Sequence, residues 1–282
     1  MLQRAAPFLF VFLWSTGFLG AKYGLPHAAP LAFLLVRYLL VISLMGLLAL
    51  AWRAPWPRDG RQWLHIGVSG LLVHALYLGG VFIAIGKGLP AGITALVVGL
   101  QPLLTATVAG RLLGETVLPR QWLGLALGFL GVALVVAHKV GAGFALDALW
   151  PALAALGGIT AGTLYQKKFS PHFDWRSGAV AQFLPTAIVT GAIVIATDGY
   201  RIAWTGEFVF ALGWLVLVLS VGAISLLNWL IRHGSAVNVA SLFYLTPPTT
   251  ALLAWLLFGE TVTGLALAGM ALAVWGVYLA RR

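Results

Sequence analysis

Gly114, Glu115 and Thr116 return 145 positions later as Gly259, Glu260 and Thr261. Twelve residues before the first of these triplets stands Pro102, and its counterpart at the same offset is Pro247. The offset also relates Gly17 to Gly162, Lys22 to Lys167, Pro26-His27 to Pro171-His172, Gly124 to Gly269 and Gly131 to Gly276, and it relates Lys87 to Arg232 with the charge kept. It runs without a gap through a chain of 282 residues. Self-similarity at a fixed spacing marks a structural unit used more than once. The fold is therefore bound to contain two copies of one arrangement, expected to divide as residues 1–140 and 141–282.

The unit is apolar throughout. Hydrophobic residues make up 61% of the chain and charged ones 9%, against about 25% charged in soluble domains. Such a chain cannot furnish a polar surface, and a bilayer is the environment that accepts it. Breaks at charge, Pro and Gly clusters divide it into ten apolar runs, at 5–24, 31–51, 63–86, 91–112, 119–138, 148–166, 177–196, 208–231, 236–258 and 262–280. Each is close to the 20 or so residues that cross roughly 30 Å of hydrocarbon. Five runs per copy is an odd number, so the second copy enters the membrane from the opposite side. The expected fold is an all-α integral membrane protein with ten transmembrane helices, built as two inverted five-helix repeats around a central cavity. Inverted repeats suit alternating access, because two copies in opposite orientations can exchange conformations.

Charge sets the orientation. Of the 17 Lys and Arg residues, Lys22, Lys87, Lys139 and Arg201 fall on one side, Arg37 lies inside a span, and all the others fall on the other side. The basic side should face the cytoplasm, which puts both termini there and the chain in a bacterial cytoplasmic membrane. Basic residues spread through short loops do not form a nucleic-acid surface. The chain has no cysteine. Acidic residues number seven and lie mostly in loops, with no carboxylate pair in a span, no metal-ligand cluster and no phosphate-binding Gly-rich loop. No cofactor and no metal are expected. A lipid-modifying membrane enzyme is the rival from another class, and it would need paired catalytic groups near one interface.

Several of these residues resemble a known family. Trp14-Ser15, Gly17-Phe18 and Lys22 in the first run, Arg37-Tyr38-Leu39-Leu40 in the second, and the block from Ala95 to Val136 with Pro102, Leu113-Gly114-Glu115, Gln121, Gly124 and Gly131 are similar to the drug/metabolite transporter superfamily in its double EamA-type form. The second copy of that block runs from Ala240 to Leu279. The resemblance implies ten helices and export of metabolites. As a whole the chain most resembles the YddG-type exporters of aromatic and other amino acids, with a multidrug or other metabolite carrier as the alternative.

Polar residues inside spans are the candidates for a solute path, since lipid offers them no partner. Gly67, Gly70, His74, Tyr77 and Val81 fall three or four apart in the third run, Thr94, Val98, Gln101 and Thr105 in the fourth, Thr160, Thr163 and Lys167 in the sixth, and Gly222, Ser225, Asn228 and Arg232 in the eighth. With Trp14 and Ser15 in the first run, Arg37 in the second and Tyr244 in the ninth, they define the expected binding residues: Trp14, Ser15, Arg37, His74, Tyr77, Gln101, Thr163, Asn228 and Tyr244. The solute is a small molecule, an amino acid by the resemblance. His74 is the foremost ligand or proton site, because imidazole titrates near pH 6.5. Arg37 could hold a carboxylate or extend its long stem to the surface. Pro102 and Pro247 each remove a helical hydrogen bond and could act as hinges, with Lys22 and Lys167 at helix ends as gating candidates. Glu115 and Glu260 should cap the fifth and tenth helices that follow them. Gly124, Gly128 and Gly131, copied as Gly269, Ala273 and Gly276, form small-residue stripes for packing or for a homodimer through helices five and ten; otherwise the protein is a monomer.

Overall fold

The computed structural model of the protein describes residues 2–89, 91–137, 146–197, 199–258 and 263–281. Its helices follow the apolar runs. They are α1 (Leu2–Gly24), α2 (Pro30–Ala51), α3 (Gly60–Gly86), α4 (Ala91–Val98 continued by Gln101–Leu113), α5 (Pro119–Val136), α6 (Leu149–Phe169), α7 (Trp175–Ala196), α8 (Gly206–His233), α9 (Ala236–Ser241, a 3-10 turn Leu242–Leu245, then Thr246–Phe258) and α10 (Gly264–Ala280). Among the described residues, six helices are long and apolar enough to cross a bilayer, and three shorter apolar helices join them. Their outer faces carry Leu47, Ile188, Ile195, Leu256 and Val274, all exposed, as a lipid-facing surface requires. Polar side chains fix the helix starts. Asp59, Asp174, Thr205, Ser235 and Thr263 each accept from a backbone N–H in the first turn of α3, α7, α8, α9 and α10, supplying acceptors to donors that the helix cannot satisfy itself.

The two halves are related by inversion. Gly124 of α5 lies against Gly276 of α10, and Gly131 of α5 against Gly269, so the two helices run antiparallel. Yet Gly124 and Gly269 are repeat mates, as are Gly131 and Gly276; exchanging the halves converts one contact into the other. The α2–α7 pair behaves alike. Gly46 faces Val180 and Gly191 faces Leu35, and the 145-residue offset maps each contact onto the other. Three further pairs of contacts obey the same exchange: α3 with α6 and α1 with α8, α4 with α6 and α9 with α1, α3 with α7 and α8 with α2.

The glycine stripes are used within the chain. A Cβ on Gly276 would sit 2.3 Å from the Gly128 nitrogen, and one on Gly131 would sit 2.4 Å from the Ala273 nitrogen. Of the two roles expected for α5 and α10, intramolecular packing is the one in which these glycines are engaged.

The helices are irregular at matching places. The middle of α3 is π-helical over Leu71–Leu78, and the middle of α8 over Leu215–Ala223; the offset superimposes the two segments within a residue. The interruption of α4 after Val98 and the 3-10 turn of α9 also correspond. Each lies immediately before its proline, Pro102 or Pro247, whose ring displaces the carbonyl four residues earlier. Gly259, Glu260 and Thr261 lie outside the described residues, as does the expected division between 140 and 141; the Lys22 side chain is likewise not among those described.

Candidate functional site

An apolar cavity lies between α1, α2 and α3 of the first half and α8 of the second. Trp14, Gly17, Arg37, Tyr77, Leu215 and Leu219 are on its wall. A second, smaller space adjoins it through Trp14, Tyr77 and Val81 and is closed by Thr94, Val98, Phe243 and Pro247 of α4 and α9. The Trp14 and Tyr77 rings stand between the two spaces, near parallel at 11° with centroids 6.3 Å apart. Trp14 also packs against Phe10 and edge-on against Phe243, at 5.2 and 5.3 Å. At the other end Phe82, on the cavity wall, packs edge-on against Phe33, which meets Phe208 at 5.0 Å.

Arg37 supplies the cavity's charge. It is the eighth residue of α2, about 10 Å along the helix, and only 3% exposed. Its Nε donates to Ser220 Oγ of α8 at 3.0 Å. Ser220 in turn donates to the Leu215 carbonyl five residues back, a bond available because α8 is π-helical there. Among the described residues no carboxylate lies within ion-pairing distance of the guanidinium. Burial of an unmatched cation is unfavourable by several kcal/mol after relaxation, so the chain spends stability to keep it there.

The expected binding residues separate into two sets. Trp14, Arg37 and Tyr77 meet at the cavity. His74 does not line either space: it is fully buried, stacked at 4.0 Å on Phe183, and both ring nitrogens lack a hydrogen-bond partner among the described residues. Its carbonyl accepts from Tyr38 Oη at 2.8 Å. The third-run stripe assumed 3.6 residues per turn; π winding takes more residues per turn, so His74 and Tyr77 do not share the face that α-helical spacing predicts. Gly67 and Gly70 instead admit α7, through Pro185 and the Gln182 backbone. Ser15 binds the Val11 and Thr246 carbonyls, and Thr163 binds those of Ile159 and Thr160. Gln101 and Tyr244 are buried, with Gln101 Oε1 and Tyr244 Oη unpartnered among the described residues; Tyr244 packs on Gly128. Pro247 reaches the second space, while Pro102 is buried in α4.

Asn228 lines a different space, a vestibule toward the face that carries both termini, with Ala6, Phe173, Asp174, Gly222 and Arg232. A carboxamide chain runs inward from it: Gln166 Nε2 donates to Asn228 Oδ1 at 3.0 Å, and Gln182 Nε2 is 3.2 Å from both Gln166 Oε1 and Ser69 Oγ. Gln166, Gln182 and Ser220 escaped the sequence reading. By the 145-residue offset Gln182 is the repeat mate of Arg37, and Ser220 stands outside the eighth-run stripe. At the vestibule rim, burial alone would raise the Asp174 carboxyl, but hydrogen bonds from the Arg176 guanidinium and backbone hold it below the usual carboxylate range.

On the same face Glu115 does not cap α5, whose first turn begins at Pro119. Both its oxygens accept from Ala236 N, at 2.9 and 3.0 Å, and so cap α9 of the other half. Lys167 Nζ lies 3.5 Å from Glu115 Oε1 and donates to the Gly234 carbonyl. The physical basis of the expectation holds, since a carboxylate does meet free N–H groups at a helix start; only the helix differs. On the opposite face the 199–205 segment joins the α1–α2 connection through an Ala28–Ile202 bridge and a 3.0 Å His27–Glu207 contact.

Two antiparallel, repeat-related bundles around a cavity between them are the architecture of secondary transporters. The EamA-like transporter family matches residues 5–137 and again 148–282, and the chain belongs to that family. It is 29% identical to "Uncharacterized transporter YvbV" of Bacillus subtilis over 95% of this chain and 88% of that one. It is 27% identical to "Uncharacterized inner membrane transporter YedA" of Escherichia coli K12, over 97% and 89%. With the "Probable amino-acid metabolite efflux pump" of Salmonella typhimurium it shares 28% identity over 96% and 92%. A solved crystal structure 23% identical to it has the same fold, with a TM-score of 0.79 over 98% of this chain and 94% of that one.

Proposed function

We propose that the protein exports small amphipathic metabolites, amino acids and their close derivatives among them, across a bacterial cytoplasmic membrane by alternating access. The observation that carries this reading is the cavity itself, shared between inverted halves and walled by Trp14, Arg37 and Tyr77 from one and Leu215 and Leu219 from the other. A relative bearing the name of an amino-acid metabolite efflux pump supports the solute class. Both termini are cytoplasmic in this reading, following the excess of Lys and Arg on their side. The halves rock about the cavity, bending at the irregular turns before Pro102 and Pro247, while Lys167 and its repeat mate Lys22 act at the two faces. The repeat units divide near residues 140 and 141.

The test is counterflow in proteoliposomes holding purified protein, with labelled phenylalanine, threonine and cysteine, a sugar and a cationic dye. Uptake of an amino acid, lost in Trp14→Ala and Tyr77→Ala, is the expected result. Uptake of the dye or sugar alone would replace the amino-acid reading, and no uptake of any would remove the transport reading.

A further inference from the structure

Arg37 is a cation buried at the wall of an apolar cavity, and among the described residues no anion pairs with it. Its seven acidic residues are Asp59, Glu115, Asp147, Asp174, Asp198, Glu207 and Glu260. Asp59, Glu115 and Asp174 precede helices at the face of the termini. Asp147 and Glu207 lie at helix starts on the other face, and Glu207 is engaged with His27. Asp198 and Glu260 fall between spans in the sequence. None stands in the interior of a span. The guanidinium uses its Nε on Ser220, which leaves the two terminal nitrogens, the pair that binds a carboxylate in a fork.

We propose that Arg37 is the carboxylate-docking residue of the cavity and that the site recognises the anionic end of its solute without recognising an ammonium. The inference rests on the reading of this cavity as the transport site and narrows its substrates to apolar monocarboxylates. The carboxylate lies on Arg37. The apolar body of the solute lies against Trp14, Tyr77, Leu215 and Leu219. An α-ammonium would meet the Arg37 charge and find no carboxylate in the span interiors, so its burial weakens binding. The acid lacking its amino group should then bind more tightly than the free amino acid. Removing the carboxylate leaves the buried guanidinium unmatched, and buried charged groups discriminate strongly against analogues that lack their partner.

The test uses purified full-length protein in detergent and measures binding of phenylalanine, 3-phenylpropionate, 3-phenylpropanamide and 2-phenylethylamine by isothermal titration. The expected result is that 3-phenylpropionate binds most tightly, phenylalanine more weakly, and the amide and amine at least about ten-fold more weakly than 3-phenylpropionate, as loss of a charge-assisted hydrogen bond implies. Arg37→Gln should abolish the preference and Arg37→Lys should retain it in weaker form. Amine binding equal to acid binding in the wild type would overturn the proposal and assign selectivity to the aromatic faces, which also attract cations. Equal binding of amide and acid, or failure of both carboxylates to bind, would overturn it too. The ligand series in the unaltered protein decides the matter even if the Arg37 variants do not fold. Counterflow of a sugar or dye with no carboxylate binding would end this proposal while leaving the transport reading intact.

Discussion

Arg37 Nε donates to Ser220 Oγ at 3.0 Å, joining α2 of one half to α8 of the other at the cavity wall. The hydroxyl is fixed by its own bond to Leu215 O at 3.2 Å, so it holds the guanidinium in one orientation. Ser220→Ala leaves a buried Nε–H without its partner, at a cost of about 1–3 kcal/mol. Thermal unfolding of purified protein should show the loss, and Ser220→Thr, which keeps the hydroxyl, should recover part of it. Unchanged stability in Ser220→Ala would mean that the contact does not hold Arg37.

The distribution of basic residues gives a topology that single cysteines can read directly, because the chain has none of its own. Arg58 lies in the α2–α3 connection and Tyr200, 60% exposed, in the α7–α8 connection. In intact cells Tyr200→Cys should react with a membrane-impermeant maleimide, and Arg58→Cys should react only after permeabilisation. The reverse pattern would invert the molecule and turn the proposed exporter's orientation around.

The helices and their inversion were legible in the sequence because each rests on a local signal. Apolar length places a span, and the repeat offset relates Gly124 to Gly269 without any coordinates. The site was legible only where helical spacing stayed regular. Trp14, Arg37 and Tyr77 stand out as polar or aromatic residues in otherwise aliphatic runs, and they share one cavity wall. His74 was misassigned to the cavity because nothing in Leu71–Leu78 announces a π turn. Glu115 was assigned to the helix next in sequence, since a cap from across the repeat boundary leaves no short-range trace. Ser220 gained its role only through a tertiary contact.

Backbone contact between α5 and α10 leaves no room for side chains at their crossing. A Cβ at Gly276 would lie 2.3 Å from Gly128 N and 2.5 Å from Gly124 O, which are backbone atoms that cannot rotate away. Gly276→Val should therefore force the helices apart and cost about 1–3 kcal/mol or more, the scale of overpacking, seen as a lower unfolding temperature. Val274→Ala on the exposed face of the same helix should change it little. Equal effects of the two would show that the stripe is not where the helices meet.

Glu115 and Lys167 form a three-way tie with the start of α9. Glu115 accepts from Ala236 N with both oxygens, and Lys167 binds both that carboxylate and the Gly234 carbonyl. Glu115→Gln keeps an acceptor and removes the charge that favours the helix dipole; Lys167→Met removes the donor and keeps the stem. Each should lower stability by about 0.5–2 kcal/mol, the range of helix caps and partly buried charge–dipole contacts. Because the two groups share a partner, the double variant should lose less than the sum, with a coupling of about 0.5 kcal/mol or more. The Glu115 and Lys167 side chains are 17% and 20% exposed, so 1 M salt should weaken the coupling only partly, whereas a surface pair would be almost fully screened. Thermal unfolding of the four proteins at low and high salt measures it. Strict additivity would show that Glu115 and Lys167 brace α9 independently, and then neither would be a candidate for a latch that opens as one unit.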